Sequence, residues 1–297
     1  MSHYIDRFGE LKLINPFREF WYRYENHPSA LFGLLIFSMI ILLFLLSPIL
    51  APYDVNHQFK DHIMVPPSWL SGGEINFLLG TDELGRDIFS RLLIGGATTI
   101  SGAFLAVFMA AIVGISLAIF TTLTGSWLNR ITIYIFDVLL TFPILIIALL
   151  IISIIGKSLH HSILAISIAM IPHFYKSLSN AISLEINKPY YIAAKLDGAS
   201  GFTLLFSVLM PNILGAIIIH LSLSLSTAII EIATLGFLGF GAQSLQPEWG
   251  AMIGNARSFI FQAPWSVWVP GIAIFISVLA IHLVSNGIKD SLSKDKY

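Results

Sequence analysis

Cysteine is absent from the 297 residues, which excludes disulfides, thiolate metal sites and cysteine nucleophiles. Charge is scarce as well. Asp, Glu, Lys and Arg make up 11% of the chain, against about 25% in soluble globular proteins. The formal net charge of −1 argues against a nucleic-acid partner. The nine histidines show no ligand spacing such as H-E-x-x-H, so no metal site is expected. A phosphate-binding loop, G-x-x-x-x-G-K, is also missing. Gly156, Lys157 and Ser158 resemble its end, but the required earlier glycine falls on Ile151 inside an apolar run. Any nucleotide that drives this protein sits on another chain.

What fills the chain is apolar. Hydrophobic residues make up 56% and mean hydropathy is +0.82. Runs of about 20 apolar residues, enough to cross a hydrocarbon core of roughly 30 Å, recur along it. The expected fold class is all-α: a polytopic membrane protein with six spans, near 31–50, 97–123, 131–155, 162–178, 211–235 and 267–288. This divides the chain into an inner N-terminal segment 1–30, a first transmembrane helix 31–50, an outer segment 51–96, a five-helix core 97–288 and an inner tail 289–297. No cleavable signal peptide is read in the polar, aromatic first 30 residues. With the N-terminus inside, eleven of the sixteen Lys and Arg fall on inner segments. That bias places both termini in the cytoplasm.

Several stretches carry more than hydropathy. LGTDELGRDIFSRLL (79–93) has Asp82 four before Arg86, Asp87 four before Arg91, and Leu84, Ile88 and Leu92 in step. That pattern predicts an amphipathic surface helix with two ion pairs; the sharper reading is a docking surface for an external partner. Gly102, Ala106, Ala110, Gly114 and Ala118 form a ladder of small residues suited to close helix packing. Asp137 is expected to pair with Arg130 or to serve transport, and Pro143 to kink its span.

His220, Ser224, Thr227 and Glu231 recur at helical spacing and form one narrow stripe. Its two readings are a translocation pathway and interhelical hydrogen bonding, with Ser222 and Ser226 on the opposite face. Gly236, Gly239 and Gly241 favour a break after it. Residues 190–211, YYIAAKLDGASGFTLLFSVLMP, read as a helical hairpin turning at Gly198, with Pro211 opening the fifth span.

Ala193, Ala194, Gly198 and Pro211 stand at the spacing of E-A-A-x3-G-x9-I-x-L-P, so the segment resembles the cytoplasmic signature of ABC-importer permeases. Ile192 replaces the signature glutamate, Val208 the isoleucine and Met210 the leucine. Gly80, Thr81, Asp82, Gly85, Arg86 and Asp87 are similar to the segment before the second span in C-type permeases of the peptide and nickel importer family. Asp137, Leu140 and Pro143 fit its third span, and LGFLGFG its fifth. SNGIKD departs from the family's G-D-G-x-R-D. PPSW, KLDGAS, GAQ (241–243) and PEWGAM are most similar to its Sap-type branch.

The resemblance implies the type I importer permease fold, a bacterial inner membrane location and a periplasmic outer segment. It implies a cytoplasmic coupling loop at about 181–210 in which Ala193, Ala194, Asp197, Gly198 and Pro211 meet an ATPase. The implied partners are a homologous B-type permease, two ATP-binding subunits carrying ATP and Mg, a periplasmic substrate-binding protein and membrane lipids, with no cofactor on this chain. The implied function is peptide transport and resistance to antimicrobial peptides; dipeptide, haem and polyamine (putrescine) transport stand as alternatives. A proton-coupled secondary transporter, with His220, Glu231 and Asp137 as relay, is the reading from a different class.

Overall fold

The computed structural model describes residues 3–5, 11–13, 16–124, 127–242 and 246–292. Two three-residue strands, His3–Ile5 and Leu11–Leu13, pair antiparallel ahead of the helices. A ten-residue helix, Pro16–Glu25 (α1), leads into the first apolar helix, Pro28–Leu45 (α2), and a single turn, Ser47–Leu50 (α3). Pro28 stands in the first turn of α2, where its missing N–H has no intrahelical partner to lose.

The next helix, Ile88–Thr124 (α4), starts nine residues before the expected span. Its ladder from Gly102 to Ala118 is buried throughout. A Cβ on Gly114 would lie 2.5 Å from the Phe174 Cβ, so the ladder does let a second helix approach closely. That helix is Leu159–Ile186 (α7).

Between them the expected span 131–155 is two helices, Trp127–Leu139 (α5) and Ile144–Ile155 (α6), bent by 93°. Pro143 has no N–H for the Leu139 carbonyl and its ring crowds that position, so α5 stops there and Pro143 caps α6 instead.

After α7 come a short helix, Pro189–Leu196 (α8), a turn, Gly201–Thr203 (α9), and a π-helical turn, Leu204–Leu209. The π turn flows into Met210–Phe237 (α10). Pro211 offers no N–H to the Ser207 carbonyl, and the wider turn relieves the crowding. Trp249–Ala256 (α11) and Trp265–Leu292 (α12) complete the bundle.

Among the described residues four helices are long and apolar enough to cross a membrane, or five with the bent pair, where six were expected. The difference is α7. It spans 28 residues, but it carries His160, His161, His173, Lys176 and Glu185. It can do so because half of its residues are buried against α4, α6 and α10 rather than facing lipid. One core joins α4, α6, α7, α10 and α11 through Ile166, Phe174, Ile232 and Trp249. A second gathers Tyr175, Leu178, Ile182, Tyr191, Leu209 and Ile213 around the start of α8.

Candidate functional site

The A-A-x3-G spacing of residues 193–198 has a local cause. Helix α8 ends at Leu196, Asp197 is its C-cap, and Gly198 follows at φ +81°. The Gly198 N–H donates to the Lys195 carbonyl at 3.2 Å, and the Ala199 N–H to Ala194 at 3.1 Å. This pair of bonds is the Schellman closure, which needs a left-handed residue at that point and places Ala194 beside Ala199. Both alanines pack on the second core. Ala193 faces outward.

Beyond this closure the hairpin is bare. Ile192 is 46% exposed, Leu196 82%, Phe202 73% and Phe206 52%, and the last two rings lie 4.5 Å apart, tilted by 40°. Tyr191, in contrast, is buried and anchors the start of α8. The expected helical connection is therefore a closed hairpin anchored at Tyr191, with a large exposed apolar face.

The polar stripe of α10 is divided. Ser224 is buried, while His220, Thr227 and Glu231 are half-buried. His220 sets its ring edge against Phe174 at 4.6 Å, and its Nε2 has no hydrogen-bond partner among the described residues. No ion pair or hydrogen bond joins Glu231 to another described residue. Interhelical bonding belongs to the opposite face, where Ser222 meets Ser285 of α12. Asp137 does not pair with Arg130. It bonds Lys176 of α7 at 2.7 Å, because α7 lies alongside α5 and presents a cation closer than two turns away.

The amphipathic surface helix over 79–93 is not there. Residues 80–87 form a tight knot, and α4 begins only at Ile88. Gly80 and Gly85 take positive φ, and a Cβ on either would strike the Val65 or Phe59 carbonyl at 2.4 or 2.3 Å. Thr81 is buried and ties the knot to residues 62–65, donating to the His62 carbonyl and accepting from the Val65 N–H. Asp82 and Arg86 pair at 2.7 Å, but both are buried. Asp87 does not reach Arg91. Its carboxylate caps α4 by accepting from the Ser90 N–H and hydroxyl, and burial pushes its pKa up. Arg91 turns instead to the Val55 carbonyl at 2.8 Å. The helix pattern failed because glycines at two αL positions and buried capping bonds outweigh i,i+4 pairing.

Sequence reasoning missed Glu248 as more than part of PEWGAM. It is fully buried at the N-cap of α11 and accepts the Gly250 and Ala251 N–H groups at 2.8 Å each. A Cβ on Gly236 would lie 1.9 Å from its carboxylate, so α10 closes over it. An acidic residue just before W-G-A-M was the available signal. Burial pushes its pKa up, against hydrogen bonds from Gly250, Ala251 and Thr99 that pull it down. Gln243 of GAQ lies outside the described residues, as does 293–297 of the tail.

Comparison with known proteins gives the chain a family. Residues 110–296 match the family described as binding-protein-dependent transport system inner membrane component. Residues 15–67 match the N-terminal TM domain of oligopeptide transport permease C. The peptide transport system permease SapC of Escherichia coli O6:H1 is 40% identical over 275 residues, 93% of each chain. The di/tripeptide transport permease DppC of Pseudomonas aeruginosa is 39% identical over 278 residues, 94% of this chain and 92% of that one. A chain of the MetNI methionine ABC transporter, solved in an inward-facing form, superposes with a TM-score of 0.54. That match has 18% identity and covers 68% of this chain and 97% of that one. The chain belongs to the binding-protein-dependent transport system inner membrane components, and is a multi-pass permease subunit of an ABC importer.

Proposed function

We propose that this permease carries peptides across the bacterial inner membrane and performs no catalysis itself. Its pathway is shared with a homologous B-type permease. Its energy comes from ATP and Mg on two partner ATPases, and its cargo from a periplasmic binding protein. The observation that carries the reading is the hairpin of α8: a short helix anchored by Tyr191, closed at Gly198, with Ile192 and Leu196 bare. Such a face suits a protein groove better than water. Conversion of ATP hydrolysis to alternating access requires two global states with different contacts. A rigid arm between α7 and α10 couples ATPase closure to both helices. The Lys and Arg distribution supports a cytoplasmic position for this arm and both termini.

The pathway runs along His220, Thr227 and Glu231. Among the described residues none of the three makes an interhelical hydrogen bond or ion pair, whereas Ser222 on the other face meets Ser285, and this supports their side as the one facing cargo. A proton relay through Asp137 is disfavoured by its ion pair with Lys176. Peptide cargo follows from the names of the Sap and Dpp relatives.

In proteoliposomes of the assembled complex, wild type takes up labelled dialanine in step with ATP hydrolysis. Gly198→Arg leaves the chain inserted and abolishes that coupling. Normal transport by this variant refutes the coupling role. Uptake of putrescine or haem in place of peptide refutes the cargo, as does resistance to antimicrobial peptides without any peptide uptake.

A further inference from the structure

The signature glutamate is replaced by Ile192, yet a carboxylate does reach this hairpin from a different place. Glu185 lies in the last turn of α7 and is buried. Its Oε2 lies 2.7 Å from Lys188 Nζ, and its Oε1 accepts the hydroxyl of Tyr190. Both partners lie at the start of α8, three and five residues further on. A carboxylate at the C-terminal end of α7 opposes that helix's dipole, but the same charge beside the N-terminus of α8 is favourable. Its placement therefore serves α8 rather than α7.

The junction is short, and its linker makes one further side-chain bond, from the Asn187 amide to the Ser183 carbonyl at 2.7 Å. Only Asn187 and Lys188 separate the helices, and Pro189 contributes no N–H. The Lys188 N–H donates to the Glu185 carbonyl at 3.1 Å. One residue thus engages the linker backbone, the linker cation and the first turn of α8.

We infer that Glu185 is the positioning residue of the hairpin: it fixes the angle between α7 and α8, and through that angle the number of cargo molecules moved per ATP. This rests on the coupling role of α8. A buried carboxylate that accepts two bonds from one short helix and its linker holds them as a strut, whereas Tyr191, Ala194 and Ala199 hold the hairpin only through non-directional apolar packing.

The test uses the natural absence of cysteine. Asn180→Cys and Lys195→Cys, both at exposed positions off the Ile192–Leu196 face, take spin labels in the complex assembled with its partner subunits. Glu185→Gln and Tyr190→Phe should each broaden the label-to-label distance distribution. Each should also lower dialanine uptake per ATP by about threefold or more, the scale of one hydrogen bond, with assembly and basal ATPase kept. Glu185→Gln with Tyr190→Phe should cost little more than Glu185→Gln alone, since both remove one contact. An unchanged distance distribution, or unchanged uptake per ATP, in the variant that assembles overturns the inference. Gly198→Arg is run alongside. If it transports normally, the coupling role of α8 fails, and the distance distribution still decides whether Glu185 holds α8.

Discussion

The Thr99 hydroxyl lies 3.1 Å from Glu248 Oε1 and accepts the Trp249 N–H at 3.2 Å. One side chain of α4 thereby completes the cap of α11, 149 positions away in sequence. Thr99→Val keeps the shape but leaves a buried N–H and a carboxylate oxygen short of a partner. The expected loss is about 1–3 kcal/mol, read as a lower thermal midpoint in detergent micelles. An unshifted midpoint would show that the contact adds nothing to stability.

Glu248 should make stability depend on pH in one direction. Burial raises its folded-state pKa above the ordinary value of 4.5, so the folded protein holds the proton more tightly than the unfolded chain. The contribution is complete below about 4.5 and is lost as pH rises through the raised folded value. The thermal midpoint of wild type should therefore fall relative to Glu248→Gln over that window. A gap between the two proteins that stays constant with pH contradicts the assignment.

Two glycines should respond differently to alanine. At Gly198 a Cβ meets nothing within 4 Å, and only the positive φ resists it, which costs about 1 kcal/mol. At Gly250 a Cβ would lie 1.8 Å from the Ala233 carbonyl oxygen. Helices α10 and α11 must then separate, at about 3 kcal/mol or more. Size-exclusion profiles of detergent-extracted protein should keep a monodisperse peak for Gly198→Ala and lose it for Gly250→Ala.

The Asp137–Lys176 pair should behave as a unit. Lys176→Met removes the partner of an exposed carboxylate beside the bend between α5 and α6, and should lower the thermal midpoint by the equivalent of about 0.5–1 kcal/mol. Asp137→Asn added to it should recover most of that loss. Additive losses in the double variant would mean that the two charges act separately.

Much of this bundle was legible because hydropathy has only one use at membrane length. The small-residue ladder of α4, the kink at Pro143 and the turn at Gly198 are local properties of single residues, and each has its expected structural consequence. Helix α7 obscured the count of apolar spans because a helix enclosed by protein is released from the requirement to be apolar. The knot at 80–87 was misread because pairing along a helix and capping across a turn use the same Asp and Arg. Lys176 and Glu248 could not be assigned partners, since Asp137 and Thr99 are distant in sequence. Glu185 was within reach, seven residues before the vacant signature position, but a family pattern directs attention to Ile192 itself.

The seam between α2 and α12 has a consequence in time. Helix α2 packs mainly against α12, close enough that a Cβ on Gly33 would lie 2.5 Å from the Leu283 Cβ. Synthesis at about 5–20 residues per second puts roughly 10–45 s between the end of α2 and the start of α12. Helix α2 waits in lipid while α4 to α11 are made, and this seam closes only once α12 has followed them.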